Sequence, residues 1–377
     1  MTSSDPRSAT APYDALLVVS FGGPEKPDDV VPFLENVTRG RGIPRERLEE
    51  VGEHYFQLGG RSPLNDLNRA FIAAVEEDLR GNGIDLPVYW GNRNWDPYLA
   101  DALGQMAKDG VERAVCFVTS AYSSYSGCRQ YRENLADAVA DVDGAPALDR
   151  VRHYFNHPGF VEPMVDATLA ALADLPAEAR GDARLLFVTH SVPVAMNDAS
   201  GRGGSRAQTG SDGAGGAYVA QHESVAAEIT ERIRQHTGHR FPSELVFCSR
   251  SGPPEVPWLG PDVNVRIEHA ARHAVPAVVV VPIGFVADHM EVVYDLDTEA
   301  RATAEGAGIA FARAATAGVD PRFVAMVRDL VLERAAAARD DDPVRAAVGS
   351  LAPSWDVCPA GCCANARGPR PALCGRD

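Results

Sequence analysis

The sequence predicts a doubly wound α/β fold built from two similarly organised halves. Six apolar runs rich in β-branched residues have the unbroken hydrophobicity of strands covered on both faces of a parallel sheet. Segments with the helical period separate these runs, and the alternation of strand and helix is typical of parallel sheets. In each half the first strand ends in a small polar residue and a turn, at Ser20–Pro24 and Thr189–Pro193.

The order of the elements predicts two domains and a tail. The predicted strands are Ala15–Phe21, Val88–Arg93, Arg113–Ser120, Arg184–Ser191, Glu244–Arg250 and Val275–Phe285. The segments of helical period are Asp28–Thr38, Leu64–Leu79, Tyr98–Lys108, Gln130–Val139, Phe160–Leu172, Val219–His236 and Pro321–Arg339. Small and polar residues cluster between residues 173 and 184. We therefore expect domains at 13–178 and 179–340, with the last helix able to pack on the first domain, and a Cys-rich tail at 341–377.

The composition excludes several classes of partner. Hydrophobic residues make up 45% of the chain and charged residues 23%, as in ordinary globular proteins. The net charge of −16 argues against nucleic acid or an anionic membrane surface as a partner. The first twelve residues lack the apolar core of a secretory signal, and no apolar run is long enough to span a bilayer. We expect a cytoplasmic protein.

His190 is the first candidate for chemistry. It ends a predicted buried strand, and ligands of open α/β sheets bind beyond the carboxyl ends of the strands. A histidine there suits metal binding or proton acceptance near neutral pH. The alternative is a hydrogen-bonded structural histidine.

An acidic ladder follows the most apolar strand. Glu291, Asp295 and Glu299 recur every four residues, so they share one face of a predicted helix. Buried carboxylates in such a row must hold protons or cations, which suits a path for Fe²⁺ and protons. The alternative is a solvated acidic face.

The cysteines predict a thiolate site at the end of the chain. Of seven cysteines, Cys116 and Cys248 fall in apolar runs, whereas four others lie in the last twenty residues: Cys358, Cys362, Cys363 and Cys374. In a cytosolic protein this clustering indicates metal or redox chemistry before disulfides. Thiolate sets bind Zn²⁺ or [2Fe–2S] clusters, and Cys374 or the distant Cys128 could complete the set. Free thiols in a disordered tail are the remaining alternative.

Residues 199–216 are rich in Gly and Ser and cannot form a core of their own. We expect a mobile loop there. It is either a tolerated surface insertion or a lid over the site, since the segment follows His190 closely.

Six collinear motifs resemble the ferrochelatase family over roughly residues 13–340. The motifs lie at 20–24 (SFGGP), 59–64 (GGRSPL), 89–93 (YWGNR), 189–193 (THSVP), 257–260 (PWLG) and 284–294 (GFVADHMEVVY). The resemblance implies two Rossmann-like domains, each with a four-stranded parallel sheet, and a cleft that clamps a porphyrin. It implies that His190 is the pocket histidine and that Glu291 is its partner carboxylate across the ring. Both would touch the Fe²⁺ substrate, and Asp295 and Glu299 would form a relay.

The resemblance also implies the remaining ligands. Several ferrochelatases hold a [2Fe–2S] cluster with one ligand from the first domain and three from the tail, which here implies Cys128, Cys358, Cys362 and Cys363. Aromatic side chains are expected on the macrocycle faces, at Phe21, Tyr122 and Trp258. Cationic and hydroxyl groups are expected on the propionates, at Arg61, Ser62, Arg93, Ser123 and Tyr125. Some relatives carry Tyr where this chain has Phe21, and Phe cannot ligate iron.

The expected activity is insertion of Fe²⁺ into coproporphyrin III, because the resemblance is strongest to actinobacterial-type enzymes. The alternatives are a protoporphyrin IX ferrochelatase, a chelatase for another ring or metal of the sirohydrochlorin type, and a non-catalytic porphyrin or haem carrier. The porphyrin oxidase and decarboxylase of the pathway are the expected protein partners, and the chain is expected to be a monomer.

Overall fold

The computed structural model describes residues 9–40 and 42–376 and contains two four-stranded parallel sheets. The strands are β1 Ala15–Ser20, β2 Val88–Asn92, β3 Arg113–Val118, β4 Ala147–Arg150, β5 Arg184–His190, β6 Ser243–Cys248, β7 Ala277–Val281 and β8 Ala310–Arg313. Their orders are β2-β1-β3-β4 and β6-β5-β7-β8, so the two sheets have the same topology. The predicted α/β fold with two Rossmann-like sheets is confirmed.

Helices flank both sheets. They are α1 Val30–Val37, α2 Arg45–Gln57, α3 Leu64–Gly81, α4 Leu99–Lys108, α5 Gln130–Ala140, α6 Pro158–Asp174, α7 Ala177–Arg180, α8 Val194–Ala199, α9 Arg206–Thr209, α10 Ala217–Thr237, α11 Val263–Arg272, α12 Met290–Val292, α13 Arg301–Gly306 and α14 Pro321–Ala338. A 3₁₀ turn spans Pro27–Asp29, and π-helical segments span Tyr125–Arg129 and Val293–Ala300. Within the described ranges, no helix has an apolar stretch long enough to cross a membrane.

The central strands are buried on both faces, which explains their unbroken apolar sequences. In β1, Leu16 and Val18 point into a core shared by the two halves, whereas Leu17 and Val19 point into a separate core on the outer face. Alternate residues of a strand face opposite sides of the sheet, so both sets must be apolar when both sides are covered.

Two strands were not predicted from the sequence. Strands β4 and β8 lie at the edges of their sheets and have the sequences ALDR and AFAR. Each has only four residues and includes a charged side chain, so neither forms the long apolar run on which the prediction depended, whereas the longer edge strands β2 and β6 do.

The two halves share one large core. That core contains Phe117 of the first sheet, Phe187 of the second and Phe323 of the last helix. Helix α6 contacts β7 and β8, and helix α14 contacts α3 and β3, so each of these helices lies against the sheet of the other half. The domain division at residues 178 and 179 remains a prediction.

In the first sheet β1 lies between β2 and β3, and in the second sheet β5 lies between β6 and β7. The strand order therefore reverses at β1 and at β5. Ligands of doubly wound sheets bind at such points, beyond the carboxyl ends of the strands. Ser20 and His190 end these two strands, so the fold brings the first turn of each half to a position suited to ligand binding.

Candidate active site and thiol site

His190 presents one ring nitrogen to the candidate site. Its side chain exposes 34% of its surface, and Nδ1 lies against the carbonyl oxygen of Ser191. A ring nitrogen that contacts a carbonyl must carry the proton, so Nε2 is the acceptor in the neutral ring. The Tyr218 hydroxyl donates a 2.7 Å hydrogen bond to the backbone carbonyl of His190 and so fixes the end of the strand.

Glu291 lies beside His190 rather than across a ring from it. Its Oε2 is 3.7 Å from His190 Nε2, and its side chain exposes 51% of its surface. A planar macrocycle between two groups needs about 3.5 Å of clearance on each face, so none fits between these two. The expected placement on opposite faces is therefore corrected. Because β5 and β7 are neighbouring parallel strands, the segments that leave them are side by side and form one patch.

The acidic ladder is exposed at both ends and half-buried in the middle. Glu291 and Glu299 are exposed, whereas Asp295 is half-buried and accepts a hydrogen bond from the Ser249 hydroxyl. Burial raises the pKa of Asp295 to about 6, the charges of Glu291 and Glu299 add to the rise, and the Ser249 hydrogen bond opposes it. Asp295 therefore titrates near neutral pH and can exchange a proton or a cation there.

The segment that carries the ladder is π-helical over Val293–Ala300. π-helical turns are rare and often occur at functional sites. His289 lies just before it and was not singled out from the sequence. Its ring contacts Phe285, and burial lowers its pKa, so His289 is neutral beside the pair of His190 and Glu291.

Two of the three expected aromatic side chains lie where a ligand could reach them. Phe21 follows β1 and exposes 36% of its surface, and the Arg93 guanidinium is 5.5 Å from its ring. Trp258 pairs through its backbone with Pro193, three residues after His190. Its indole Nε1 is buried and has no hydrogen-bond partner among the described residues.

Tyr122 is instead an interior residue. Its hydroxyl donates to the Ile283 carbonyl at 3.0 Å, and its ring stacks on His222 at 3.5 Å. Ser62 and Ser123 are also buried, and the Ser123 hydroxyl is hydrogen-bonded to His153. These three side chains expose almost no surface for a ligand, which corrects their prediction as substrate contacts.

The remaining expected propionate partners are at least partly accessible. Arg61 is exposed and pairs with Asp66. Arg93 donates to the carbonyl of Ser126 at 3.3 Å, and the Tyr125 hydroxyl donates to a carboxylate oxygen of Glu133 at 3.1 Å. Of these, Arg93 is closest to the candidate pocket, because its guanidinium lies over Phe21.

The four predicted thiol ligands come together in one buried cluster. Cys128 and Cys358 have sulfur atoms 3.9 Å apart, and the sulfur atoms of Cys362 and Cys363 are 3.6 Å apart. Cys374 stays outside this cluster and points its thiol at the carbonyl of Leu148. Over residues 9–40 and 42–376, no group of three or more His, Cys, Asp or Glu side chains is arranged so that it could hold a metal ion.

A buried cation makes the thiol cluster suitable for negatively charged thiolate ligands. The guanidinium of Arg150 donates to Cys128 Sγ at 3.0 Å and to Cys358 Sγ at 3.2 Å. Contacts with the thiols of Cys128 and Cys362, together with the charge of Arg150, hold the pKa of Cys358 well below its usual range. Hydrogen bonds with the neighbouring thiols, together with burial, raise the pKa values of Cys128, Cys362 and Cys363, so in the metal-free chain the thiolate form is favoured at Cys358 alone. The thiolate is the form that binds metals, so a group bound to these four sulfur donors would have to displace the other three protons.

Residues 199–216 are packed against the tail, which corrects the expectation of a mobile loop. Their backbone carbonyls accept hydrogen bonds from Cys363 N–H at Ala199 (3.1 Å) and from Ala352 N–H at Ala207 (2.7 Å). Gly204 lies against the ring of Trp355, where a Cβ atom would come within 2.5 Å of the ring. The segment is therefore a docking surface for the Cys-rich tail.

Comparison with known proteins assigns the family. The family model described as "Ferrochelatase" matches residues 13–335. The chain belongs to the ferrochelatase family. The coproporphyrin III ferrochelatase of Streptomyces griseus subsp. griseus is 58% identical over 371 residues, covering 97% of each chain. The coproporphyrin III ferrochelatase of Frankia alni is 54% identical over 370 residues, covering 97% of this chain and 90% of the relative.

A solved chelatase is also similar. SirB from Bacillus subtilis with Fe³⁺ aligns with a TM-score of 0.47 and 10% identity over 86% of this chain and 97% of that chain.

In this member of the ferrochelatase family, several site residues gave no signal in the sequence. Arg150 ends the unpredicted strand β4 and reaches the thiol cluster. His54 of α2 stacks on Tyr294 of the π-helical segment, with ring centroids 4.0 Å apart and 9° between the ring planes. That contact joins a helix of the first half to the acidic ladder of the second. Helix α2 was not among the predicted helical segments, because its sequence is predominantly polar, and Leu48 and Gly52 are the residues that it buries.

Proposed function

We propose that this ferrochelatase-family enzyme inserts Fe²⁺ into coproporphyrin III and so forms coproheme in haem biosynthesis. The observation that carries the proposal is the pair of His190 and Glu291, 3.7 Å apart at the strand-order reversal of the second sheet. The substrate assignment is supported by relatives named coproporphyrin III ferrochelatase, which match this chain over nearly all of its length.

In the proposed reaction, Fe²⁺ enters as two pyrrole protons leave the porphyrin. His190 Nε2 lies 3.7 Å from Glu291 Oε2, so the two groups can hold one Fe²⁺ ion or accept a proton together. Their partial exposure keeps the site open, which lets the metal leave for the porphyrin. Asp295 and Glu299 extend the acidic path from this pair, and Asp295 can accept a proton near neutral pH.

The proposed macrocycle lies over this patch, with His190 and Glu291 on one face. Phe21 supplies an exposed aromatic surface from the first half, and Trp258 borders the turn after His190. Arg93 and Arg61 supply positive charge, and Tyr125 a hydroxyl, for the propionates in a chain whose net charge is −16. The four carboxylates of coproporphyrin need such local cations against the overall field.

We propose that Cys128, Cys358, Cys362 and Cys363 hold a [2Fe–2S] cluster. The two close sulfur pairs suit a centre in which each of two irons takes two protein ligands. A closed tetrahedral zinc site is the competing occupant. When bound, the cluster would join the first half to the tail and add its binding free energy to the stability of the fold.

We also propose a monomeric cytoplasmic protein with domains at 13–178 and 179–340 and a cluster-binding tail at 341–377. All seven cysteines are free thiols, which suits a reducing compartment. The enzymes that oxidise the preceding porphyrinogen and decarboxylate coproheme are its proposed pathway partners.

Anaerobic incubation with Fe²⁺ and either coproporphyrin III or protoporphyrin IX tests the proposal, with product read by absorbance. We expect kcat/KM at least about tenfold higher for coproporphyrin III, which is about 1.4 kcal/mol of preferential transition-state binding. A preference for protoporphyrin IX would overturn the substrate assignment.

Glu291→Gln separates an enzyme from a carrier. The variant should bind porphyrin normally but insert iron at least about a hundredfold more slowly, the usual scale for loss of a general acid or base. The matched control is Glu305→Gln, because Glu305 is exposed on the neighbouring helix α13 and has no role in the proposed site. Full turnover by Glu291→Gln would refute the role of this carboxylate, whereas wild-type protein that binds porphyrin without inserting iron would favour a porphyrin carrier.

A further inference from the structure

The tail that carries three of the cluster cysteines is connected to His190 through residues 199–218. The amide of Cys363 donates to the carbonyl of Ala199, the last residue of α8. The next residue, Ser200, is fully buried, and its hydroxyl accepts a 2.9 Å hydrogen bond from the amide of Tyr218. Ser200 is therefore the one residue between Ala199, which contacts the tail, and the first turn of α10.

Tyr218 completes the connection at the candidate active site. Its hydroxyl donates to the His190 carbonyl at 2.7 Å and is 2.8 Å from the hydroxyl of Thr189. Tyr218 is 7% exposed, so these hydrogen bonds are shielded from water. Shielded hydrogen bonds hold geometry more firmly than exposed ones, because water cannot replace either partner.

A second buried path reaches the same helix from the thiol cluster. Arg150, which donates to two of the cysteines, also donates to His153 Nε2 at 3.0 Å. His153 Nδ1 is 3.0 Å from the Ser123 hydroxyl, which accepts a 3.0 Å hydrogen bond from Gln221 of α10. Burial lowers the pKa of His153 to about 3, so the ring is neutral and can accept at one nitrogen while donating at the other.

We propose that Tyr218 is a positioning residue through which the docked cysteine tail holds His190 in place for metal insertion. This inference rests on the proposed function, since it gives the thiol site a structural role in the same reaction. Helix α10 receives both paths within its first turns, at Tyr218 and Gln221, and its Tyr218 hydroxyl contacts the strand end that carries the imidazole. The Gly-rich segment is thus the contact between tail and active site.

Tyr218→Phe tests the last step, because it removes one hydroxyl and keeps the ring. We expect iron and sulfide content equal to wild type, about tenfold faster amide hydrogen exchange in residues 190–192, and about tenfold lower kcat with little change in KM for porphyrin. A tenfold effect is in the range of one buried hydrogen bond. Wild-type exchange and wild-type kcat in this variant would overturn the proposal.

Gly204→Ala tests the tail contact without altering a cysteine or a site residue. A Cβ atom at Gly204 would be 2.5 Å from the Trp355 ring and 2.6 Å from Thr209 Cγ2, so it separates the tail from the segment. We expect faster amide hydrogen exchange than in the wild-type protein, both in residues 352–363 of the tail and in residues 194–200. The control is Gly104→Ala, where a Cβ atom meets nothing within 4 Å. Faster exchange in the tail alone, with residues 194–200 as in wild type, would contradict the connection.

The exchange measurements also distinguish this inference from the proposed function. Slow iron insertion by the wild-type protein would refute the proposed function. The hydrogen-exchange results would still test whether the cysteine tail is connected to His190 through Tyr218. The absence of iron and sulfide from the wild-type protein would refute the cluster assignment, and it would likewise leave the hydrogen-exchange test of the Tyr218 connection unaffected.

Discussion

Replacing Asp295 with Asn should stabilise the protein at neutral pH, although the residue lies in the proposed metal path. Burial, with the neighbouring Glu291 and Glu299, raises the pKa of this carboxyl from 3.8 to about 6, against the opposing Ser249 hydrogen bond and the His190 imidazole. The native state therefore disfavours the ionised carboxylate relative to the unfolded chain. A neutral amide of the same size removes that cost and keeps a partner for the Ser249 hydroxyl.

The expected magnitude follows from the two pKa values. The difference between 3.8 and about 6 corresponds to about 3 kcal/mol, and solvent screening of this half-buried group reduces it to about 2 kcal/mol. The cost appears as the pH rises above the unfolded pKa and is complete above the folded pKa. Asp295→Asn should therefore raise the free energy of unfolding by about 2 kcal/mol at pH 7.5 and by about half of that at pH 5.

Urea unfolding of the metal-free proteins at these two pH values measures the effect. Asp297→Asn is the matched control, because Asp297 lies in the same π-helical segment but pairs with the guanidinium of Arg313 at 2.7 and 3.0 Å. That control should be destabilised. A loss of stability in Asp295→Asn at pH 7.5, or a gain that does not depend on pH, would refute the reasoning.

Three further predictions concern the thiol site and the buried charges. Cys128→Ser should abolish visible cluster absorbance and bound iron. The control Cys116→Ser, in the interior of β3, should retain both. Unchanged iron and sulfide in Cys128→Ser would refute the ligand assignment. Arg150→Met should lower iron and sulfide content on purification, because it removes the hydrogen bonds to two cysteines, and full content would contradict a role for this charge. Glu333→Gln should lower the free energy of unfolding by about 3–5 kcal/mol in urea titrations, because it leaves the buried Arg152 without its carboxylate. A change below about 1 kcal/mol would contradict a stabilising role for that ion pair.

The sequence predicted the fold class and the composition of the site better than its geometry. The central strands and the longer edge strands β2 and β6 were evident from their apolar runs, whereas the four-residue edge strands β4 and β8 were not. Arg150 was missed for that reason, because it ends β4. The order of strands within a sheet is set by packing between distant segments, so the sequence did not reveal that β5 and β7 are neighbours. The side-by-side arrangement of His190 and Glu291 follows from that neighbour relation.

Residues 199–216 illustrate a second limit of sequence reasoning. Their composition indicated a mobile segment, since glycine and serine offer little apolar surface. In the folded chain the same lack of side chains permits close approach, and Gly204 accommodates the ring of Trp355. The partner that orders this segment lies about 150 residues later in the chain, beyond the reach of any local pattern.

A double-mutant cycle on His190 and Glu291 tests the central claim most directly, with the rate of Fe²⁺ insertion into coproporphyrin III as the measurement. Two groups that hold one metal ion or one proton together should act as a unit. We predict that His190→Ala, Glu291→Gln and the double variant all lose activity to a similar extent, within about tenfold of one another. Losses that multiply in the double variant would show that the two side chains act independently, which would contradict the account.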